Sequence, residues 1–435
     1  MFSKTAVSQT YLHSTGLAII TLVAATLAST SAAISADDVI SAPQGTAVTL
    51  GEDGTVTVTD TGSIDVNPGF FAINSNGFNS EITLSGPVSG TINSPGNVDS
   101  LATIFQNGDT TNTLIVLQGG NITATDIGAA GFVRGVYQNN LTATHTVDLE
   151  NAQISVTAPN AEVARGIEQR AGMQDATVQF GSDSGVSVFG GSEGAIGVLQ
   201  LTQSSNTTST FGPGTHIDVE STGSSLGVNQ SANISGDLTI VFEDDGQVDV
   251  RSTSLLFLSS TAISQFTPNG SASITLGSGV HITSSGNAVA TGVEQRSPEN
   301  RFVLGEDSSI TVASEFFGFG LGQVTDASSG TNSAVLHDNS RISLASENSA
   351  LGIRQETITG TNTLEFRSNG ELSVVGDQTA SGAFQLIRNG NNEAEFGSNT
   401  RIDVDAGLFM ATGIAQNASI TGDLAILFGV GTRIN

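Results

Sequence analysis

A Gly-aliphatic-x-Gln signature recurs along the chain at a nearly constant interval, and this repeat constrains the fold more than any other feature of the sequence. Copies stand at Gly135–Gln138, Gly166–Gln169, Gly197–Gln200 and Gly227–Gln230. They return at Gly292–Gln295, Gly320–Gln323, Gly352–Gln355, Gly382–Gln385 and Gly413–Gln416. A degenerate copy ends at Gln106, and near Leu256–Ser259 the glutamine is lost. From Gln106 to Gln416 there are 416 − 106 = 310 residues in ten steps, a period of 31.

A second marker keeps the same beat. A Phe or Leu is followed six residues later by an aliphatic residue, as in Phe180 to Val186, Phe211 to Ile217, Phe242 to Val248 and Leu276 to Ile282. The series continues through Leu304, Leu336, Phe366, Phe396 and Phe428. Earlier copies, Leu117 to Ile122 and Leu149 to Ile154, are one residue shorter, and the one near Leu84 is looser.

Each repeat holds three short stretches that alternate with period two, such as Thr146–Leu149, Ile154–Val156 and Gly166–Gln169. Strict alternation over four or five residues argues half-buried strands, and the intervening Gly, Asn, Ser and Thr suit tight turns. No window sustains a helical period. The expected fold is therefore all-β: a right-handed parallel β-helix of about 13 coils with three strands per coil. A single coil cannot bury its inner face, so the stack must be contiguous to be stable. At about 4.8 Å per coil it would be roughly 60 Å long.

The repeat also sorts inside from outside. In the first strand the flanking aliphatic and Phe or Leu columns point inward, while the residue between them varies freely: Asp148, Gln179, Thr210, Val241, Glu365, Glu395. In the second strand the middle residue is polar, as at Asp65, Ser155, Ser187, Asp218, Asp249, Thr283, Ser343 and Asp403, and is expected in solvent. Period two puts the aliphatic residue and the Gln of the signature on one face. Gln138, Gln169, Gln200, Gln230, Gln295, Gln323, Gln355, Gln385 and Gln416 are thus expected to form a structural amide ladder at an inner corner. A catalytic glutamine would be needed once, not nine times.

Composition then narrows the function. Forty-one acidic residues against 13 basic ones give a formal charge of −28, which repels nucleic-acid phosphates and anionic lipid heads. The absence of cysteine excludes a disulfide scaffold, a thiolate zinc site and a Cys nucleophile. The first 33 residues carry Lys4 as their only charge, then an apolar stretch from Gly16 to Ala28 and the small-residue site Ser31-Ala32-Ala33. That stretch is too short to span a bilayer, which needs about 20 residues, and reads as a secretory signal peptide. Cleavage after Ala33 would leave 12 − 41 = −29 and no lysine. The expected organisation is a signal peptide at 1–33, a capping segment at 34–53 and coils over 54–435, stopping partway through a repeat. The expectation is a piece of a longer chain.

Few residues suggest chemistry. Gly181-Ser182-Asp183-Ser184-Gly185 faintly resembles a Ser-nucleophile loop but sits where Phe396–Ile402 places a turn. His216, His281 and His337 fall between the first and second strands, with an exposed position expected. Asp244 and Asp245 form the densest acidic run. Asp218 and Asp249 occupy equivalent positions of adjacent coils, about 5 Å apart. Hard cations take oxygen ligands, so these four are the metal candidates. No calcium-binding nonapeptide or EF-hand loop accompanies them, so no tight Ca²⁺ site, catalytic residue or cofactor is expected. No mature lysine and no acid-plus-arginine cluster recurring on one face argue against a polysaccharide-active β-helix enzyme. The break at Arg251–Asn269, where one step stretches, is the region expected to be decorated; the alternative is that Leu255–Leu258 there is a simple core variant.

The signal-like leader, the Cys-free acidic Gly/Asn/Ser/Thr-rich chain and the two repeat columns over residues 51–435 resemble an autotransporter passenger domain. The resemblance implies export from a Gram-negative bacterium to its surface or beyond, with the outer membrane engaged only through a C-terminal β-barrel that this sequence does not contain. It also implies a monomeric, non-enzymatic rod serving adhesion to a host or bacterial surface molecule. The lack of cysteine fits, because a disulfide would obstruct passage of an unfolded chain. A filamentous-haemagglutinin-like exoprotein is the alternative; it would need a secretion domain of roughly 250 residues ahead of its regular coils.

Overall fold

Alternating β-branched and small polar residues, cut by Gly, Asn and Asp, build each turn of the chain from three short parallel strands. In one turn these are Val163–Arg170, which carries the glutamine, Ala176–Phe180, which carries the aromatic residue, and Gly185–Gly190, whose middle residue is polar. We refer to them as the glutamine, aromatic and third strands. The structure, a computed structural model, describes residues 32–34, 37–51, 53–66, 71–92, 101–126, 128, 130–253, 258–325, 327 and 329–435. Nearly all of the expected signal segment and the run Leu255–Phe257 lie outside the described residues. Among those described, every regular element is a strand, and they belong to one compact unit, Ser31–Asn435.

Each strand pairs in parallel with its counterpart one turn away. Ile167 of the glutamine strand meets Val136 and Val198, Phe180 meets Leu149 and Phe211, and Ser187 meets Ser155 and Asp218. The third strands form a 14-stranded parallel sheet. Glutamine and aromatic strands share a 26-stranded sheet, because in two turns they run on without a break as Ser349–Phe366 and Thr379–Phe396. The result is a β-solenoid of about 11 turns with a spacing near 31 residues. The expected count of 13 is close to this, and the N-terminal rungs are shorter than the later ones: Asp37 pairs with Thr55, Val48 with Ile73 and Val56 with Ile82. The full spacing sets in where Ile73 pairs with Ile104. Residues 37–50 thus contribute short strands that pair in register with the stack.

The interior is a set of continuous columns. Phe180, Phe211 and Phe242 are buried in one of them, with ring centroids 5.0 and 4.3 Å apart along the series. Phe366, Phe396 and Phe428 repeat the stacking at 5.3 and 5.5 Å. Phe180–Phe211 meets edge to face and the other pairs are stacked, and such ring pairs add about 0.5–1.5 kcal/mol to burial alone. One early member differs from the sequence reading: the column passes through Val116, which pairs with Leu84 and Leu149, and Leu117 lies in the turn beyond it. Val116 to Ile122 then restores the six-residue spacing.

That spacing has a backbone cause. Three residues after the column position the chain adopts a left-handed conformation, at Asp183, Asp245, Asp307, Asn339, Asn369 and Asn399 with φ between 55° and 59°. Only Gly, Asn and Asp tolerate this region readily, and Gly214 and Gly279 fill the same place with φ of 67°. The turn Gly181–Gly185 belongs to this series, and its Ser184 is buried, donating to the Leu149 carbonyl at 3.1 Å. Its hydroxyl is a turn fastener.

The glycine of the signature has a different reason. In Val163–Arg170 two successive residues, Gly166 and Ile167, are both buried, so the strand changes phase and bends there. A Cβ on Gly166 would stand 2.2 Å from Val186 Cγ1 and 2.6 Å from the Gly197 carbonyl. The bend brings the glutamine strand against the third strand and leaves no room for a side chain.

Candidate functional site

The glutamine column is an unbroken amide ladder. Each Nε2 donates to the Oε1 one turn earlier, from Gln138 to Gln106 at 2.8 Å through Gln169, Gln200 and Gln230, each again 2.8 Å. It continues through Gln295, Gln323, Gln355 and Gln385 to Gln416, which donates to Gln385 at 2.7 Å. The second Nε2 proton goes to a backbone carbonyl of the aromatic strand in the same turn, for example Thr146 for Gln138 and Thr177 for Gln169. The ladder therefore joins successive turns and closes the corner inside each turn.

The glutamine read as lost is present. Gln265 pairs with Gln230 and Gln295 in register, donates to Gln230 at 2.8 Å and receives from Gln295 at 3.0 Å. It is hidden in the sequence because Ala262 replaces the signature glycine and the step from Gln230 is 265 − 230 = 35 residues, off the expected beat. A second ladder carries no signature that the repeat search used. Asn300, Asn332, Asn362 and Asn392 are buried and linked at 2.8 Å from each Nδ2 to the next Oδ1. Its signal is an Asn four residues before the column Phe or Leu.

His145 stands two turns from the start of the regular spacing, at the equivalent position to Asn112. Its ring is fully buried, with Nδ1 3.1 Å from Asn112 Nδ2 and Nε2 2.9 Å from the Arg170 carbonyl. Asn112 Oδ1 already accepts from Gly108 N, so the amide presents its donor and the neutral imidazole carries its proton on Nε2. Burial, only partly offset by the carbonyls of Arg170 and Asn140, holds this imidazole below the ordinary value of 6.5. The unfolded chain takes up the proton first, so stability is unaffected above about pH 6.5 and falls as pH drops below it. We expect His145→Asn to remove that term: wild type should lose up to about 1.4 kcal/mol per pH unit more than the variant between pH 6.5 and 5. Parallel urea midpoints for the two proteins over that range would refute it. His216 and His281 are exposed first residues of third strands, whereas His337 lies in the turn, half-buried, 3.3 Å from Arg367 Nη1.

The acidic candidates divide. Asp218 and Asp249 face each other in register on adjacent third strands. Burial, then the Asp249 charge, pushes the Asp218 carboxyl above its ordinary range. Gln247 Nε2 donates to Asp249 Oδ2. Asp244 accepts from Ser278 N at 2.8 Å and Asp245 takes the left-handed turn position, so both carboxylates belong to turn geometry. Among the described residues no three His, Cys, Asp or Glu side chains converge.

A cluster of arginines around an acid, absent from the sequence reading, is present on the outer face of the glutamine strands. Glu168, at the variable position of its signature, is fully buried beneath Arg134, Arg165 and Arg170. Arg134 Nε donates to Oε2, while Arg165 Nη1 and Arg170 Nε stand 2.5 and 2.6 Å from Oε1. Burial alone would raise the Glu168 carboxyl, yet the charges of Arg134, Arg165 and Arg170 prevail and hold it below its ordinary range. Burial lowers the Arg134 guanidinium against the pull of Glu168. The Arg134 guanidinium also lies 4.2 Å from the Tyr137 ring and 4.8 Å from the Phe132 ring. Burial, then Glu168, raises the Tyr137 hydroxyl. The signal was legible: Arg134-Gly-Val-Tyr-Gln and Arg165-Gly-Ile-Glu-Gln-Arg170 put both leading arginines one residue before the signature glycine, in register.

No protein-family model, curated protein or solved structure matches this chain. The repeat and its columns therefore stand on their own geometry. Two surface features complete the inventory. An open depression near the irregular step is lined by Arg251, Asn287, Ser314 and Glu315. The last aromatic strand, Leu424–Phe428, leaves its apolar residues exposed.

Proposed function

We propose that the chain is an exported, passenger-like β-helical rod that works by presenting its surface, with adhesion as its use. The observation that supports this is the continuity of the solenoid: about 11 turns carry one uninterrupted glutamine ladder, and the outward positions change freely from turn to turn. Such a stack separates duties. Inner columns hold the rod, while residues such as Asp148, Gln179 and Thr210 occupy equivalent outer places without altering it. Solenoids of this construction offer extended surfaces to partners. The −28 charge disfavours nucleic acid and anionic lipid as those partners. The leader-like first 33 residues and the Cys-free composition support export.

The test is saturable binding of purified protein from residue 34 onward to host or bacterial cells, set against a rod whose outward residues are shuffled. We expect the shuffled rod to lose binding while keeping its fold. Equal binding by both removes adhesion.

A further inference from the structure

The outer face of the third strands changes height along the rod. One outward column runs in register, turn by turn, through Glu220, Arg251, Ser285, Ala313 and Ala345 to Val375. Its side chains are long as far as Arg251, shrink to one hydroxymethyl and two methyl groups, and rise again at Val375, which is 43% exposed. The three small residues therefore floor a trough with a wall at each end. Four turns separate the walls, about 19 Å at about 4.8 Å per turn. The open depression near the irregular step is the Arg251 end of this trough, where Ser285 and Ala313 line it together with Asn287 and Glu315. Its volume of about 420 Å³ lies inside the range of about 300–1,000 Å³ in which sites take one small ligand.

The trough is edged by polar groups that the fold does not use. The adjacent outward column carries Thr283, Thr311, Ser343 and Ser373 in register. All four are accessible, and none of their hydroxyls has a partner among the described residues. On the other edge Asn287 donates from Nδ2 to the Thr253 carbonyl at 3.4 Å, which leaves its Oδ1 open. Arg251 and Glu315 are both exposed, and neither side chain has a hydrogen-bond or ion-pair partner among the described residues. A free cationic donor, a free carboxylate acceptor and hydroxyls that do both thus surround a floor of methyl groups. That set matches a sugar, whose hydroxyls donate and accept and whose C–H faces are apolar. Charge decides which kind of sugar. Arg251 lies among Glu220, Asp249 and Glu315, 1 − 3 = −2, so the trough repels an anionic ligand and admits a neutral one.

We propose that this trough binds a neutral oligosaccharide lying along the rod axis between Arg251 and Val375. The C–H faces of the sugars rest on Ser285, Ala313 and Ala345. Arg251 donates to a hydroxyl oxygen at one end, Glu315 accepts from hydroxyls at the corner, and the threonine and serine row takes the opposite edge. The site is open to water, so a single trough holds its ligand only weakly, near millimolar. This deepens the adhesive reading by naming its ligand class, and it rests on that reading.

The test uses cellotriose, chitotriose and maltotriose as neutral probes and trigalacturonate as an anionic probe of equal length, with binding to the purified protein followed by ligand-observed NMR at about millimolar concentration. We expect at least one neutral trisaccharide to bind and trigalacturonate not to. Ala313→Trp fills an exposed floor position and should abolish that binding with an unchanged circular dichroism spectrum. Arg251→Ala should weaken it about tenfold. Thr177→Trp, on the outer face of the aromatic strands, should change nothing. If Ala313→Trp fails to fold, Arg251→Ala decides alone. No binding by any neutral probe, equal binding of trigalacturonate, unchanged affinity in either trough variant, or an equal loss in Thr177→Trp each overturns the site. Cell binding that persists while no trisaccharide binds removes the trough and leaves the rod reading standing. Trisaccharide binding without cell binding does the reverse.

Discussion

Gly197→Val is expected to unfold the middle of the solenoid. A Cβ at this position would stand 2.6 Å from the Gly227 carbonyl and 2.7 Å from Ile217 Cγ2. Valine adds two methyl groups beyond that Cβ. The nearest obstacle is backbone of the next turn, which cannot move without opening the strand pairing on either side of it. A forced overpacking of this kind, in a core with no slack, should cost more than about 4 kcal/mol. Gly197→Ala should cost less, because Ala262 occupies the same column in the natural chain and is accommodated, fully buried. Urea unfolding followed by circular dichroism checks both. Since turns contact only their neighbours, the valine variant should unfold in two phases, the damaged centre before the two flanks. A midpoint equal to wild type would show that the bend at the glycine is not as tight as the carbonyl distance indicates.

Gln200→Leu should be nearly as damaging, for a different reason. Gln200 Oε1 accepts from Gln230 at 2.8 Å and from Ser209 Oγ at 2.7 Å, and its Nε2 donates to Gln169 at 2.8 Å. It also donates to the Ala176 carbonyl at 3.1 Å. Leucine fills the volume but leaves several buried polar atoms short of a partner, each worth about 1–3 kcal/mol. We expect a loss of about 3 kcal/mol or more. The same replacement at Gln416, half-buried at the end of the ladder, removes a donor to Gln385 and one to the Ala425 carbonyl, where water can substitute, and should cost about 1 kcal/mol. Equal losses at the two positions would mean that the ladder contributes through shape and not through its hydrogen bonds.

The fold was legible because the repeat writes its constraints in residue types that have few substitutes. Gly at the bend, Gln at the corner and Phe or Leu in the column each answer one physical demand in every turn, so spacing alone reveals three strands. Where the demand can be met in two ways, the sequence misleads. Ala262 does the work of Gly, and Gln265 was therefore missed. Val116 is as good a column residue as Leu117, and only register tells them apart. The Asn ladder escaped because Asn112, His145, Ala176, Thr207 and Leu238 fill the same column in earlier turns. The arginine cluster escaped because outward positions carry no repeat. Arg134 and Arg165 are one repeat apart, yet Tyr137, Glu168 and Leu199 share a column without resembling one another.

The ladders accept unequal turns. Gln138 and Gln169 are 31 residues apart, Gln295 and Gln323 are 28, and Gln230 and Gln265 are 35, yet their hydrogen-bond lengths differ by only about 0.1 Å. The excess or deficit is absorbed where strands meet, outside the columns. Each turn is thus an interchangeable part. Unequal recombination between neighbouring copies of such a gene would add or delete a whole turn and rejoin every column, glutamine upon glutamine and ring upon ring. The length of the rod then becomes a quantity that a lineage can adjust without designing a new core, while the few outward residues of any one turn are gained or discarded as a set.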